Sequence, residues 1–409
     1  MTEPIPSPAR LFFGWKVVWT AFAVAVFGWA FGFYIPSVLL HLLHERHGWS
    51  VSVISAAISW HFLLSAGLIV YSAEIHARFG LWRVTATGAV LLALGAVGWS
   101  AATEAWHLFV TAIVSGAGWA ATSGAAVNAM VMPWFRTKRA AALSLAFNGA
   151  SVGGVVPVPL FIWLERMVGL VPATLVMGGL GAAIIAVLAA LYLRPTPESL
   201  GVHPDGAPPS REASQPAGQP IPRARLLSEV RFVTLALGFA LALALFAQVG
   251  LISHLVALLA APIGTAMAGA MVSVMTVMAV IGRTVLGFTI GSADRRLITA
   301  ANLAIQVIGV VLLATTSHPA LLLAGCVLFG LGVGNLVSLM PLAAHAEFDA
   351  VDVARVVALI IAINQATFSF APGILGAIYD MTGGYLWPLA LVVALQALAA
   401  AALMAGRKR

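Results

Sequence analysis

A single arginine, Arg283, stands inside the apolar stretch VMAVIGRTVLGF, which runs from Val277 to Phe288. A guanidinium group keeps its charge at every ordinary pH, and placing it at the centre of a membrane helix costs about 2.5–3.5 kcal/mol. The 14 acidic residues lie in loops or at the ends of apolar runs, so none is placed to pair with it in mid-span. We therefore expect Arg283 to bind the carboxylate of a substrate through two parallel hydrogen bonds.

The number of charges limits what such a site can hold. One intramembrane cation balances one anion, so the sequence favours a monocarboxylate over a dicarboxylate, which would leave a second charge unpaired in a medium of low dielectric constant. The alternative interpretation of Arg283 is structural. The side chain would then extend to the inner interface or bind backbone carbonyls of a neighbouring helix.

Two histidines lie within apolar runs. His254, in GLISHLVALL, is a candidate for binding the substrate and for taking a co-transported proton. His61, in ISWHFLLS, is a second candidate for the proton, although a lone histidine on an apolar helix is more often a packing residue. For both, the alternative is a neutral ring that is hydrogen-bonded to a helix carbonyl.

Other polar side chains in the apolar runs are candidates for hydrogen bonds to the substrate. Asn335 and Ser338 are three residues apart and share a helix face. The remaining candidates are Asn364, Gln365, Ser123 and Tyr34. The alternative role for each is a hydrogen bond between helices, worth about 0.6 kcal/mol.

Several classes of function are unsupported. The one cysteine, Cys326, lies in an apolar run, and no histidine pair has metal-ligand spacing, so we expect no disulfide and no metal site. The chain shows no glycine-rich phosphate loop, no nucleic-acid-binding module and no nucleophile–base set within a span. We therefore expect no cofactor and no enzymatic activity.

The elements that must position these residues are membrane helices. The 409 residues are 61% hydrophobic and 9% charged, whereas soluble domains carry about 25% charged residues. Twelve apolar runs are long enough for helices and too long for barrel strands. They are 14–42, 50–74, 84–102, 107–132, 140–164, 170–193, 232–259, 266–290, 297–316, 319–345, 355–379 and 384–405.

The chain divides into two similar halves. RAAALSLAFNGASVGGVVP, from Arg139, resembles RVVALIIAINQATFSFAPG, from Arg355, and this register aligns Asn148 with Asn364. We predict an N-terminal six-helix half at 1–193, a cytoplasmic linker at 194–230 and a C-terminal six-helix half at 231–409. A parallel repeat of this kind predicts a substrate site near mid-membrane between the halves.

The basic residues predict the orientation. With both termini inside, all but three of the 21 Lys and Arg residues fall on the inner side; the exceptions are Arg46, Arg166 and Arg283. The N-terminal stretch shows no short apolar segment followed by a cleavage site, so Phe12 onward is interpreted as a permanent span. We expect an integral protein of a bacterial cytoplasmic membrane with cytoplasmic termini.

These features together resemble the major facilitator superfamily, and more narrowly its monocarboxylate carrier and oxalate/formate antiporter branch. The matching segments are FFGWKVV, HGWSVSVISAAIS, WFRTKRAAALSLAFNGASVGG, HLVALLAAPIG, GRTVLGF and APGILGAIYDMTGGY. The resemblance implies an all-α protein of twelve transmembrane helices in two pseudo-symmetric halves. It also implies alternating access, with Asp294 and Arg295 as a cytoplasmic gate.

The resemblance further implies proton-coupled symport of a lactate- or pyruvate-like acid, with a small organic anion, protons and the lipid bilayer as partners. The chain departs from the animal carriers of this branch. It has Ala279 where they carry an aspartate, and it lacks their first-span lysine. Exchange or uniport of organic acids therefore remains an alternative, as does efflux of a larger organic anion.

Overall fold

The computed structural model describes residues 12–206, 232–289, 295–333 and 363–405, and these residues form helices and turns without a β-strand. The helices of the first part are α1 (Phe13–Trp29), α2 (Ile35–His47), α3 (Val51–Val70), α4 (Ser72–Phe79), α5 (Leu81–Ser100), α6 (Ala105–Thr122), α7 (Gly124–Val131), α8 (Arg139–Val155), α9 (Pro157–Val168) and α10 (Leu170–Tyr192). Those of the second part are α11 (Phe232–Ile263), α12 (Thr265–Thr289), α13 (Arg295–Thr315), α14 (Pro319–Gly332), α15 (Ala371–Thr382) and α16 (Leu386–Ala405).

The predicted spans correspond to these helices. Ten of them, the first nine and the twelfth, are confirmed as helical segments long and apolar enough to cross a membrane. The start of the predicted tenth span is α14, and the end of the predicted eleventh is α15. Of those two spans, 334–345 and 355–362 lie outside the described residues.

Interruptions of the helix occur in several of the described spans, and three of them concern the first part. The first span contains a π-helical segment, Ala30–Tyr34, between α1 and α2. The fourth breaks at Ser123, whose backbone is extended (φ −73°, ψ −177°) between α6 and α7. The fifth breaks before Pro157, which has no backbone N–H to continue the helix. In transporters, interruptions of this kind at membrane depth are found where backbone groups line a cavity or a binding site.

Small residues allow the helices of each part to pack closely. A Cβ atom on Gly118 of α6 would lie 2.7 Å from the carbonyl oxygen of Gly88 in α5. A Cβ atom on Gly309 of α13 would lie 2.8 Å from the carbonyl oxygen of Gly325 in α14. Helix association in lipid depends on such close approach, because there is little hydrophobic gain in bringing helices together.

The beginning of the predicted linker is fastened to the first part. Asp205 accepts hydrogen bonds from the backbone N–H groups of Arg136, Thr137 and Lys138 at 2.9, 2.7 and 3.1 Å. Those three residues lie in the turn before α8. The segment from 194 to 206 is thus attached to the first six spans, whereas most of the predicted linker, from 207 onward, lies outside the described residues.

The two parts meet at one end of the bundle, which we call the outer end, following the predicted orientation; it carries the turns at 48–50, 169, 264 and 383–385. Hydrogen bonds between the described parts extend from this end to the middle of the spans. They join Ser37 to Val256, His41 to Thr265, Ser52 to Asp380, Ser59 to Gly373, Ser65 to Gln365, and Val155 to Ser273. The structure is therefore closed at the outer end.

Candidate functional site

Arg283 projects from α12 and is only partly exposed. Its Nε atom is buried and has no hydrogen-bond partner. Among the described residues no carboxylate pairs with its guanidinium group. A buried cation without a counter-ion is costly, and it is accounted for if the counter-ion arrives with a ligand.

Tyr34 is the neighbour of Arg283 in the other part of the molecule. The two side chains are close enough to interact electrostatically, and Tyr34 itself is buried. Gly154 of α8 leaves room for the tyrosine ring, since a Cβ atom there would lie 3.1 Å from the ring atoms Cε2 and Cζ. The same position also adjoins the methyl group of Thr276.

The level of Arg283 in the membrane differs from the expected mid-span position. Its Cα lies about 10 Å, or two helical turns, inward of Thr276, which is close to the centre of α12. Helical side chains lean toward the N-terminus of their helix, which here directs the guanidinium group back toward the centre and Tyr34.

An aromatic wall, defined here as Phe33, Phe62 and Trp119, lies beside Tyr34. Phe33 stacks on Trp119 with ring centroids 6.4 Å apart, and it contacts Tyr34 edge-on at 5.2 Å. Phe62 meets Phe368 of the second part at 5.8 Å. The indole N–H of Trp119 is buried and has no hydrogen-bond partner. The first part thus presents an uncharged, aromatic surface.

His254 is buried in α11, and both ring nitrogens have partners in the protein. Nε2 lies 2.9 Å from the carbonyl oxygen of Pro372, and Nδ1 lies 3.3 Å from the hydroxyl of Tyr385. The ring therefore links α11 to the start of α15 and to the turn before α16. This arrangement favours a role in positioning these helices, or in taking a proton, over direct contact with a substrate.

His61 is buried in α3 and has the same types of partner. Nδ1 lies 2.8 Å from the hydroxyl of Ser115, and Nε2 lies 3.2 Å from the carbonyl oxygen of Gly32. Gly32 is in the π-helical segment, where the wider turn disturbs the regular pattern of backbone hydrogen bonds. His61 thus supports the irregular part of the first span.

The other predicted polar residues are placed differently. Gln365 is buried and donates hydrogen bonds to the Ser65 hydroxyl and to the carbonyl oxygen of Phe62 at 3.4 Å, so it joins the two parts near mid-span. Asn364 beside it is also buried. Ser123 is buried at the break of the fourth span, and its hydroxyl donates to Ala120 O at 3.1 Å.

Three of the predicted residues, Asn335, Ser338 and Asp294, lie outside the described residues. Arg295 begins α13, and the position of its side chain is likewise outside the description. The predicted cytoplasmic gate and the tenth-span contribution to the site therefore remain predictions.

A buried cluster of amide side chains was not predicted. Gln306 of α13 accepts hydrogen bonds from Gln248 at 2.8 Å and from Gln396 at 3.2 Å, and it donates to Asn302 at 2.8 Å. Oε1 of Gln396 is buried without a partner. The signal was present in the sequence, because each of these amides interrupts an apolar run. The cluster connects α11, α13 and α16 within the second part.

A crevice of about 420 Å³ lies at the inner end, away from the predicted site residues. It is lined mainly by apolar side chains of α4, α5 and α6, with His76 and Arg83 among its polar residues. Because neither Arg283 nor the aromatic wall contributes to it, we do not assign the substrate to this crevice.

Comparison with solved structures identifies the fold. The crystal structure of the nucleoside transporter NupG superposes with a TM-score of 0.72, covering 96% of this chain and 100% of that chain. The sequence identity is 12%, so the likeness concerns the fold alone. The described helices therefore share the fold of that protein.

Comparison with family models identifies the family. Residues 20–372 match the model of the Major Facilitator Superfamily, and the chain belongs to that family. This confirms the resemblance drawn from the sequence motifs, and with it the transporter class and the integral membrane location.

Curated relatives point to the same branch. Monocarboxylate transporter 13 of Rattus norvegicus and of Bos taurus are each 29% identical over 182 residues, which is 42% of this chain and 40% of each relative. The chain therefore aligns with about two fifths of these transporters. The multidrug resistance protein MdtH of Photorhabdus laumondii is 33% identical over 89 residues, covering 21% of this chain and 22% of that protein.

Proposed function

We propose that the protein is a secondary active transporter of small organic monocarboxylates that works by alternating access, with Arg283 as the anion-binding group. The observation that carries the proposal is the buried Nε of Arg283, which has no hydrogen-bond partner. The similarity to monocarboxylate transporters supports the same substrate class. One cation next to Tyr34, which itself adjoins the uncharged aromatic wall, suits a substrate with one carboxylate and a short apolar body.

Proton symport is the coupling that we propose, because a carboxylate together with one proton crosses the membrane with no net charge. His254 and His61 are the buried groups that can take the proton. Exchange and uniport are the alternative modes. We further propose a bacterial cytoplasmic membrane as the location, with both termini and the linker on the inner side, as the distribution of Lys and Arg indicates.

The test is uptake of radiolabelled lactate, pyruvate and formate into proteoliposomes, with and without an inward proton gradient. Arg283→Ala removes charge-assisted hydrogen bonds worth about 1.5–3 kcal/mol, so we expect a loss of roughly 10- to 100-fold in apparent affinity. Thr284→Ala, at the exposed neighbouring position of α12, is the matched control and should transport as the wild type does.

The outcomes separate the alternatives. Uptake driven by the proton gradient supports symport, and gradient-independent uptake indicates exchange or uniport. Loss of that uptake in Arg283→Ala supports Arg283 as the anion-binding group. A preference for larger organic anions, with weak dependence on Arg283, would instead favour efflux; the aromatic wall and the similarity to MdtH are the observations behind that second candidate. Wild-type uptake by Arg283→Ala would refute the anion-binding role.

A further inference from the structure

We propose that His254, Tyr385 and Asp380 form a proton-operated latch on the outer contact between α3 and α15, in which Tyr385 and Asp380 are positioning residues. This deepens the proposed proton coupling by naming the contact that a proton would release. It rests on the proposed function for its purpose. Its test, however, measures the position of the two parts and requires no substrate.

The contact between α3 and α15, which we call the outer seam, is built from small and polar residues. Its members are Ser52, Ser55 and Ser59 of α3, and Asp380, Gly376 and Gly373 of α15. On each helix they are three or four residues apart and so share one face. The seam therefore runs along two helices that approach without large side chains between them.

Two hydrogen bonds hold the outer seam. The backbone N–H of Ser52 donates to Asp380 Oδ2 at 2.9 Å, and the backbone N–H of Gly373 donates to the Ser59 hydroxyl at 2.9 Å. Ser52 lies in the first turn of α3, whose free N–H groups favour a carboxylate. The bond to Asp380 is thus charge-assisted, and it is the stronger of the two.

His254 controls the geometry behind this seam. The carbonyl oxygen of Pro372 can only accept, so His254 Nε2 carries a hydrogen and donates it at 2.9 Å. In the neutral ring Nδ1 has no hydrogen and accepts from the hydroxyl of Tyr385 at 3.3 Å. The neutral state therefore directs the Tyr385 hydroxyl hydrogen toward His254 and away from α15.

Protonation of His254 reverses the bond to Tyr385. Nδ1 then donates to the Tyr385 oxygen, and the hydroxyl hydrogen must find another acceptor. Asp380 directly follows Tyr379, whose ring centroid lies 4.5 Å from that of Tyr385, and its side chain is exposed. We expect the hydroxyl to turn toward Asp380 and to compete with the Ser52 N–H. One proton from the outer water thus weakens the latch and favours opening at the outer end.

Other titratable groups lie near the seam and must be separated from His254. Tyr379 of α15 contacts Tyr385, with ring centroids 4.5 Å apart. On α2, His41 lies 3.1 Å from the Thr265 hydroxyl of α12 and 3.4 Å from Glu45. Because His41 also bridges the two parts and can titrate, it provides a competing explanation for any pH response. It is therefore included as a control.

The experiment places spin labels on Met167→Cys and Met381→Cys in a Cys326→Ala background and measures their distance by double electron–electron resonance. Both methionines are exposed, at the outer ends of α9 and α15. We expect the ratio of open to closed populations to rise about tenfold as the pH falls from about 8 to about 5.5, because one charge-assisted hydrogen bond is lost.

Two variants test the latch. Glutamine at position 254 can still donate to Pro372 O and accept from Tyr385, but it cannot be protonated, so His254→Gln should remain closed at both pH values. Tyr385→Phe should lose the pH response because it lacks the hydroxyl that links His254 to Asp380. His41→Gln is the control and should respond as the unsubstituted chain does.

The proposal is overturned if His254→Gln or Tyr385→Phe, as a monodisperse and helical protein, keeps the full pH response, or if the response disappears in His41→Gln alone. Should one variant fail to fold, the other still decides the question. Arg283→Ala is expected to keep the pH response. Loss of uptake in that variant with an intact response therefore tests the anion site separately from the latch.

Discussion

The two parts of the molecule contribute different chemistry to the middle of the membrane. The first part supplies rings: Phe33, Phe62, Trp119 and the buried Tyr34. The second part supplies the charge of Arg283 and, between its own helices, the buried amide cluster. Under the proposed function, a carboxylate held by Arg283 and shaped by these rings would be bound fully only when the two parts come together. Substrate binding would then be coupled to the movement of the parts, as alternating access requires.

The two buried histidines sharpen this comparison. Each offers one ring nitrogen to a backbone carbonyl and the other to a hydroxyl. His61, however, is enclosed by the first part, and its partners Ser115 and Gly32 carry no charge. His254 is connected through Tyr385 to the neighbourhood of the exposed Asp380. The same local bonding therefore stays within one part at His61, whereas at His254, as we propose, it links a proton to the contact between the parts.

The largest loss of substrate affinity is expected at Arg283, where a lysine substitution separates the contribution of the charge from that of the planar guanidinium group. Arg283→Lys keeps the positive charge and loses the planar fork, so binding of a monocarboxylate should weaken about tenfold, less than in Arg283→Ala. Isothermal titration with pyruvate on the purified protein measures this. Equal affinities for the lysine and alanine variants would mean that the charge itself contributes nothing.

A second prediction concerns the shape supplied by the first part. A methyl group at Gly154 would lie 2.5 Å from the methyl group of Thr276 and 3.1 Å from two atoms of the Tyr34 ring, so both side chains would have to move. Gly154→Ala should therefore displace Thr276 and Tyr34 and lower the apparent affinity several-fold, by an amount that depends on substrate size. Gly179→Ala is the matched control, since a Cβ atom at Gly179 would meet nothing within 4 Å. Similar losses in both variants would remove Tyr34 from the site.

A third prediction concerns the amide cluster. Gln306→Leu leaves the donors of Gln248 and Gln396 and the acceptor of Asn302 unpaired, and should lower the free energy of unfolding by about 1–2 kcal/mol. Gln396→Leu removes a long bond and an acceptor without a partner, and its effect should stay within about 0.6 kcal/mol. Thermal melts in detergent compare the two. A larger loss in Gln396→Leu would show that its Oε1 has a partner in the membrane.

The smallest of the predicted effects concerns the hydrogen bonds of Asp205 at the inner surface. Burial acts to raise the pKa of Asp205, but the N–H donors of Thr137, Arg136 and Lys138 outweigh it, and the pKa lies below its ordinary value. The anchor is therefore complete above the ordinary pKa of an aspartate, and it is lost as the pH falls through the lowered pKa of Asp205. Asp205→Asn should raise hydrogen exchange at those three amides at neutral pH. Exchange unchanged from the wild type would show that the anchor does not form.

Much of the fold could be predicted, because apolar runs bounded by basic residues and glycine define membrane spans. Arg283 was evident because a charge in such a run is rare. The π-helical segment could not be predicted, since Ala30–Tyr34 has the composition of an ordinary membrane helix. The partners of His254 could not be predicted either. Tyr385 lies 131 residues along the chain, and the pairing depends on how α11, α15 and α16 pack.

The π-helical segment determines where the first span can gain or lose a residue. An extra residue in a regular helix rotates everything beyond it by about 100°. A π-helical turn absorbs such a residue locally, so the helices on either side keep their register. Ser37 and His41 of α2 depend on that register for their bonds to the second part. A one-residue deletion within Ala30–Tyr34 should therefore preserve assembly, whereas the same deletion within α2 would turn these side chains away. The length of the first span is thus consistent with an ancestral insertion that the protein retained.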